Sequence, residues 1–162
     1  MSPRFLKTYK LLLFLVIVVI GLGGATRAMN AGLSCPDWPL CFGKFIPDYH
    51  PQVYFEFIHR ALAGTMGIFA LIMSILIYMN KQISRSLKML CGVAFFVYII
   101  QAVFGALTVT RLLEPGMVAT HLVLGLSFMA LHQWVYLSLG SGVNKKSAIA
   151  PGWVLGGGVL VL

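Results

Sequence analysis

Long apolar stretches separated by short polar breaks dominate this sequence. Four of them, Leu11 to Ala28, Glu56 to Met79, Leu87 to Thr110 and Met117 to Leu139, each come near the ~20 residues that cross a hydrocarbon core. None alternates with the period of two that a barrel strand would show. They are apolar all round, and the pattern predicts helices. Lipid offers backbone groups no hydrogen-bond partners, so only helices or closed barrels span it. The expected fold is an all-α integral membrane protein, a four-helix transmembrane bundle.

The polar breaks are unequal. The first, residues 30–55, holds four prolines, Cys35, Cys41 and Trp38, and is expected to be compact. The turn from Arg111 to Gly116 is short and carries a Pro-Gly pair, a tight-turn signal. A fifth apolar run opens at Trp153 and stops at Leu162. It is too short to span, which predicts a fragment of a longer protein or a frayed end. The expected division is a four-helix unit over residues 1–143, then a linker and the start of a fifth span over 144–162. A weak internal repeat is also visible. Gly24-Ala25-Thr26-Arg27 closes the first span and Thr108-Val109-Thr110-Arg111 the third, each followed by a helix with a histidine near its start. Two similar helix pairs predict a pseudo-two-fold bundle with a site between them.

Composition agrees with this reading. The chain is 59% hydrophobic and 10% charged, too little charge for a soluble domain of this size. Its net charge of +8 would suggest nucleic acid in a soluble protein, but the distribution removes that need. Arg4, Lys7, Lys10, Lys81, Arg85, Lys88, Lys145 and Lys146 fall on one side of the spans, and Asp37, Asp48, Glu56 and Glu114 on the other. This is the positive-inside pattern, which puts the N-terminus in the cytoplasm and the cysteine loop outside. The run from Leu11 continues past signal-peptide length and is read as a retained span. No Arg- and Ser-rich transit peptide precedes it, which favours a bacterial cell membrane over a mitochondrial one.

His59 and His121 sit about one turn inside the outer ends of the second and fourth spans. Either one alone reads as an interfacial histidine bonded to a carbonyl. A pair at matched depth on two helices is what bis-imidazole haem ligation requires, because the iron takes axial ligands on opposite faces of the macrocycle. His132 lies deeper with no histidine mate, and structural or proton-handling use is expected. His50 has no obvious mate either and stays unassigned. Glu56 is one turn before His59, placed either as an acid/base or positioning group or as a charge favoured by the helix dipole. Arg27, Arg60 and Arg111 ring the same face, as partners for haem propionates or as snorkelling anchors. Cys35 and Cys41 lie where disulfides persist. Closing so short a loop contributes roughly 2 kcal/mol in the chain-entropy model. Cys91 is read as packing.

Gly24-Ala25-Thr26-Arg27, the run Ala31 to Cys41 and Glu56-x-x-His59-Arg60 together closely resemble the haem A synthase family. The resemblance implies the N-terminal four-helix half of an eight-span duplicated fold, or a half-length member. It implies oxidation of a methyl group of haem O to the formyl group of haem A, through hydroxylated intermediates, for cytochrome oxidase assembly. By the same resemblance His59 and His121 are the haem-iron ligands, Glu56 the catalytic glutamate and Cys35 and Cys41 the outer-loop pair. Haem b would then occupy the missing second half. The implied partners are haem O, the lipid bilayer, haem O synthase, and a second four-helix half or a homo-oligomer. The competing readings are a b-type haem electron-transfer or anchor subunit and a non-catalytic haem carrier. The cysteine loop and Glu56 argue against the first, since electron transfer needs neither.

The charge distribution predicts that a single cysteine placed at Pro47 reacts with an impermeant maleimide in intact cells, while one at Ser84 does not. Labelling at Ser84 from outside would reverse the orientation.

Overall fold

The computed structural model describes residues 2–140, so the apolar run from Trp153 and the pair Lys145 and Lys146 lie outside the described residues. The chain forms four helices: α1 Pro3–Ala28, α2 Pro51–Met79, α3 Arg85–Thr110 and α4 Pro115–Gly140. All four are long and apolar enough to cross a membrane. The described fold is thus an all-helical, multi-pass membrane bundle.

Local chemistry places the helix ends. Ser2 caps α1 by accepting from Phe5 N–H at 3.2 Å, and Ser84 caps α3 by accepting from Leu87 N–H at 3.3 Å. Proline stands at the first helical position of α1, α2 and α4, where its missing N–H costs nothing. Pro51 starts α2 more than a turn before Glu56, so the loop expected over 30–55 is shorter than its hydropathy suggested. Its last turn is amphipathic helix rather than coil.

Helices α1 and α3 end in the same way. Ala31 N–H returns to Thr26 C=O at 2.9 Å and Leu113 N–H to Thr108 C=O at 2.8 Å, around left-handed Asn30 (φ 52°) and Leu112 (φ 49°). This is the Schellman arrangement, which satisfies carbonyls left over at a helix end. It also sets the register of the internal repeat. Thr26 matches Thr108, so Arg27 matches Val109 and Arg111 matches Met29. The sequence-level pairing of Arg27 with Arg111 is therefore displaced by two residues. Thr-Arg recurs by chance, whereas the helix ends recur in backbone geometry.

Each helix packs against two neighbours, α1 on α2 and α4, and α3 on α4 and α2, so α2 and α4 stand diagonally across the bundle. The solid core occupies the half away from the loop. It is built from Tyr9, Leu12, Val16, Met66, Ala70, Met73, Ile77, Leu87, Cys91, Phe128 and Val135. Polar side chains buried there are paired across helices. Tyr9 Oη lies 2.5 Å from His132 Nδ1, tying α1 to α4, and the Cys91 thiol donates to Ser74 Oγ at 3.3 Å, tying α3 to α2. His132, which has no histidine mate, thus has a tyrosine partner. In hydrocarbon an unpaired polar group costs several kcal/mol, so such pairs also fix helix register.

Tyr98 donates to Ala63 C=O at 3.1 Å and covers Gly67 so closely that a Cβ there would overlap its ring. Gly67→Ala is predicted to destabilise the bundle by roughly 1–3 kcal/mol, the usual range for overpacking. Adding Tyr98→Ala should recover part of that loss in thermal unfolding in detergent, because it removes the ring that clashes. Purely additive losses in the double variant would show that the ring is not the obstacle.

Candidate haem-binding site

Above the solid core the four helices part around a cavity of about 330 Å³ that opens toward the loop. Its walls carry His59 from α2 and His121 from α4, the diagonal pair, so the two imidazoles face each other across the bundle axis.

Each ring lies against a glycine. A Cβ on Gly23 would stand 3.0 Å from His59 Cε1, and a Cβ on Gly105 would stand 3.0 Å from His121 Cε1. Gly23 and Gly105 are equivalent in the repeat, three residues before Thr26 and Thr108. The glycines therefore let an imidazole rest on the neighbouring backbone, a role distinct from general close helix approach. His121 Nδ1 meets the Gln101 carbonyl at 3.0 Å. Only a protonated Nδ1 can make that bond, which leaves Nε2 as the nitrogen with a free lone pair, the usual tautomer of a metal-ligating histidine. His59 lies against the backbone of Val19, the residue equivalent to Gln101, and its Nδ1 is buried without a closed hydrogen bond.

The pseudo-symmetry breaks at the mouth. One turn before His59 stands Glu56, and next to it Arg60, where the equivalent positions on α4 are Val118 and Leu122. Glu56 is 4% exposed. Its Oε1 accepts from Arg60 Nη2 at 2.5 Å and its Oε2 accepts from Cys35 N–H at 2.8 Å. Arg60 also donates to the carbonyls of Asp37 at 2.7 Å, Leu40 at 3.0 Å and Cys35 at 3.1 Å. One ion pair thus holds one side of the loop onto α2.

The loop is further closed by the Cys35–Cys41 disulfide, both of whose cysteines are buried. Beyond it the chain reverses through Phe42 (φ 54°) and Gly43 (φ 67°), with Cys41 N–H to Lys44 C=O at 3.0 Å and Lys44 N–H to Cys41 C=O at 3.1 Å. Two successive left-handed residues form this kind of turn. Asp37 fastens it, accepting from Gly43 N–H at 2.8 Å and Phe42 N–H at 2.6 Å. These bonds, that of Gly43 first, hold the Asp37 carboxyl below the usual carboxylate range. A depressed folded pKa contributes stability above the unfolded value and loses it as pH falls through the folded one, so this turn loosens only in acid.

So folded, the loop presents Trp38 to the cavity mouth. Arg27 and Arg60 line the same mouth, whereas Arg111 sits at the exposed C-cap of α3 outside the lining. His50 stands before Pro51 at the exposed start of α2, also away from the cavity. Leu113 (φ 58°) leans across to Gly32, whose Cβ would meet its Cδ2 at 3.2 Å, and closes the opposite side of the mouth. Gly23, Gly105, Gln101, Trp38 and Leu113 are site residues that sequence reading did not single out. The recurring Gly-x-x-Thr before both helix ends is the signal that would have found the glycines.

The residues present fit a flat iron macrocycle: an imidazole on each of two opposite walls, apolar and glycine sides between them, and cations at the open edge. Among the described residues no cluster of three or more His, Cys, Asp or Glu could hold a bare metal ion.

A model of the cytochrome oxidase assembly protein family matches residues 8–162. The haem A synthase of Shewanella oneidensis is 31% identical over 148 residues, covering 79% of this chain and 43% of its own length. Those of Listeria welshimeri and Bacillus mycoides are each 31% identical, over 140 and 138 residues, covering 84% and 83% of this chain and 45% and 44% of theirs. The chain thus spans less than half the length of these relatives. No solved structure gives a match.

Arg60→Gln removes one partner of a buried pair, a change that typically costs 3–5 kcal/mol. It is predicted to raise amide exchange across residues 31–44 while leaving the core strip of α2 from Met66 to Ile77 protected. Unchanged exchange in the loop would mean that the disulfide and the Asp37 and Glu56 bonds hold it without Arg60.

Proposed function

The chain belongs to the cytochrome oxidase assembly protein family, and from that premise we propose that it is a haem A synthase, or half of one, oxidising a ring methyl of haem O to the formyl group of haem A through hydroxylated intermediates. The observation that carries this reading is the facing pair His59 and His121, each rested on a glycine of the neighbouring helix. When bound, the macrocycle would supply the iron and the methyl group to be oxidised.

The chain's own residues do the rest. His59 and His121 would hold the iron, and the Gln101 carbonyl orients the second imidazole. Arg27 and Arg60 stand where propionate carboxylates would emerge and offer charge-assisted hydrogen bonds. Trp38 and Leu113 narrow the mouth and limit water at the reacting edge. Glu56 lies on the cavity wall beside His59. Its carboxylate would accept a proton or orient a reacting oxygen, and its bonds to Arg60 and Cys35 make its position depend on the loop.

Haem O enters this scheme as substrate, with haem O synthase its source. A second four-helix unit, from a longer chain or a second copy, would bring the other histidine pair and haem b. We place the protein in the bacterial cell membrane with the cysteine loop outside and the N-terminus in the cytoplasm.

The test is spectroscopic and chemical. Purified chain supplied with haem should give a low-spin bis-histidine spectrum that His59→Ala and His121→Ala each abolish or alter and His132→Ala leaves. Glu56→Gln, in an assembled enzyme, should keep the spectrum but halt at haem O or a hydroxylated product. A spectrum lost only in His132→Ala would move the site into the core. Normal haem A yield from Glu56→Gln would reduce Glu56 to a loop anchor.

A further inference from the structure

A second and larger cleft, about 940 Å³, opens on the outside of the bundle at the end opposite the loop. It lies between Tyr78 at the end of α2, Ile83 in the connection and one face of α3. Along that face run Arg85, Lys88, Met89, Gly92, Val93 and Phe96, at helical spacing of three, four and seven. The cleft is graded. Two cations stand at its rim, and everything deeper is apolar. From Arg85 to Phe96 the helix rises about 16 Å, close to the half-thickness of a hydrocarbon core.

Three observations say what fits there. First, the cations lack a protein counter-charge. Neither Arg85 nor Lys88 is ion-paired among the described residues, and Asp37, Asp48, Glu56 and Glu114 all belong to the other end of the bundle. Second, Lys88 Nζ is held 5.6 Å from the centre of the Tyr78 ring, which keeps the ammonium at the rim beside an aromatic of the kind that marks a membrane interface. Third, the floor is bare. At Gly92 a Cβ would meet nothing within 4 Å, while Met89, Val93 and Phe96 around it are exposed. A soluble anion would use the rim and leave the floor in contact with nothing. A purely apolar helix would cover the floor and leave two cations against hydrocarbon.

We propose that this cleft binds a phospholipid with an anionic headgroup, its phosphate between Arg85 and Lys88 and an acyl chain laid over Gly92 against Val93 and Phe96. Basic pockets between spanning helices recognise acidic lipid headgroups in this way, each basic group adding its own increment. The site is separate from the haem cavity, and its test needs no haem.

The experiment uses the full chain purified in a neutral detergent, with phosphatidylglycerol and phosphatidylcholine of matched acyl chains as probes, read by native mass spectrometry. The unsubstituted chain should retain phosphatidylglycerol in preference. Arg85→Gln with Lys88→Gln should lower that preference about tenfold or more, with helicity and elution volume unchanged. Gly92→Leu keeps both cations and fills the floor, and should weaken retention of both lipids.

Equal retention of the two lipids by the unsubstituted chain overturns the proposal. So does a preference that survives the double substitution. A preference lost in that variant, with retention of both lipids untouched by Gly92→Leu, would indicate surface charge only and overturns the acyl groove. Displacement of the lipid by millimolar glycerol phosphate would do the same. Should the cleft instead bury a second copy of the chain, Gly92→Leu would dissociate a dimer on light scattering, and the lipid assignment falls.

Discussion

A carboxylate and a guanidinium buried side by side at the edge of a membrane set the terms for the outer half of this protein. Glu56 and Arg60 are one helical turn apart on α2, and neither charge can be left bare where water is scarce. They are satisfied by each other and by the backbone of the loop, through Cys35 N–H and the carbonyls of Cys35, Asp37 and Leu40. The pair thus solves two problems together. The loop gains an anchor at a fixed height on α2, and the charges gain the polar partners that hydrocarbon cannot give. Trp38 reaches the cavity mouth because its neighbours are fastened in this way.

The same pair explains why the two halves of the bundle are alike yet unequal. Helices α1 and α3 end in the same turn, carry a glycine at the same place, and support a histidine from the next helix. That likeness sets one histidine on each side of the cavity. The two edges of the cavity do not match: Glu56 and Arg60 on one side answer to Val118 and Leu122 on the other. An amphipathic macrocycle would therefore meet a charged edge and an apolar edge, and its orientation would follow from that difference.

Division of labour along the membrane normal completes the picture. Toward the basic end, large side chains fill the axis, and the polar groups among them, Tyr9 with His132 and Cys91 with Ser74, are paired across helices. Toward the loop, glycines replace the large residues and space opens. A tight base carries the cost of an open top, since packing lost around the cavity is made up below it.

Much of this was legible in the residues. Spans of about the right length, the sidedness of charge, and two histidines at equal depth follow from hydropathy and spacing, because a membrane leaves the chain few choices. The helix ends at Ala28, Met79 and Thr110 agree with the apolar limits. The cysteine pair was readable as a closed loop because it falls in the outer break, where disulfides persist, and the fold joins the two. What the sequence could not decide was which residues touch across helices. Arg27 and Arg111 look equivalent as Thr-Arg pairs, yet only Arg27 lines the cavity, because repeat register is set by helix ends that no short motif records. Gly23 and Gly105 carry no side-chain chemistry that a sequence can display, and only the fold sets an imidazole on each. Glu56 could be read along the chain as an acid/base group or as a helix-end charge; only the fold shows Cys35 N–H of the loop bonded to one of its oxygens and Arg60, one turn on, to the other. Spacing along one helix is local information. Contact between helices depends on how four of them lean together, and only the folded bundle decides that.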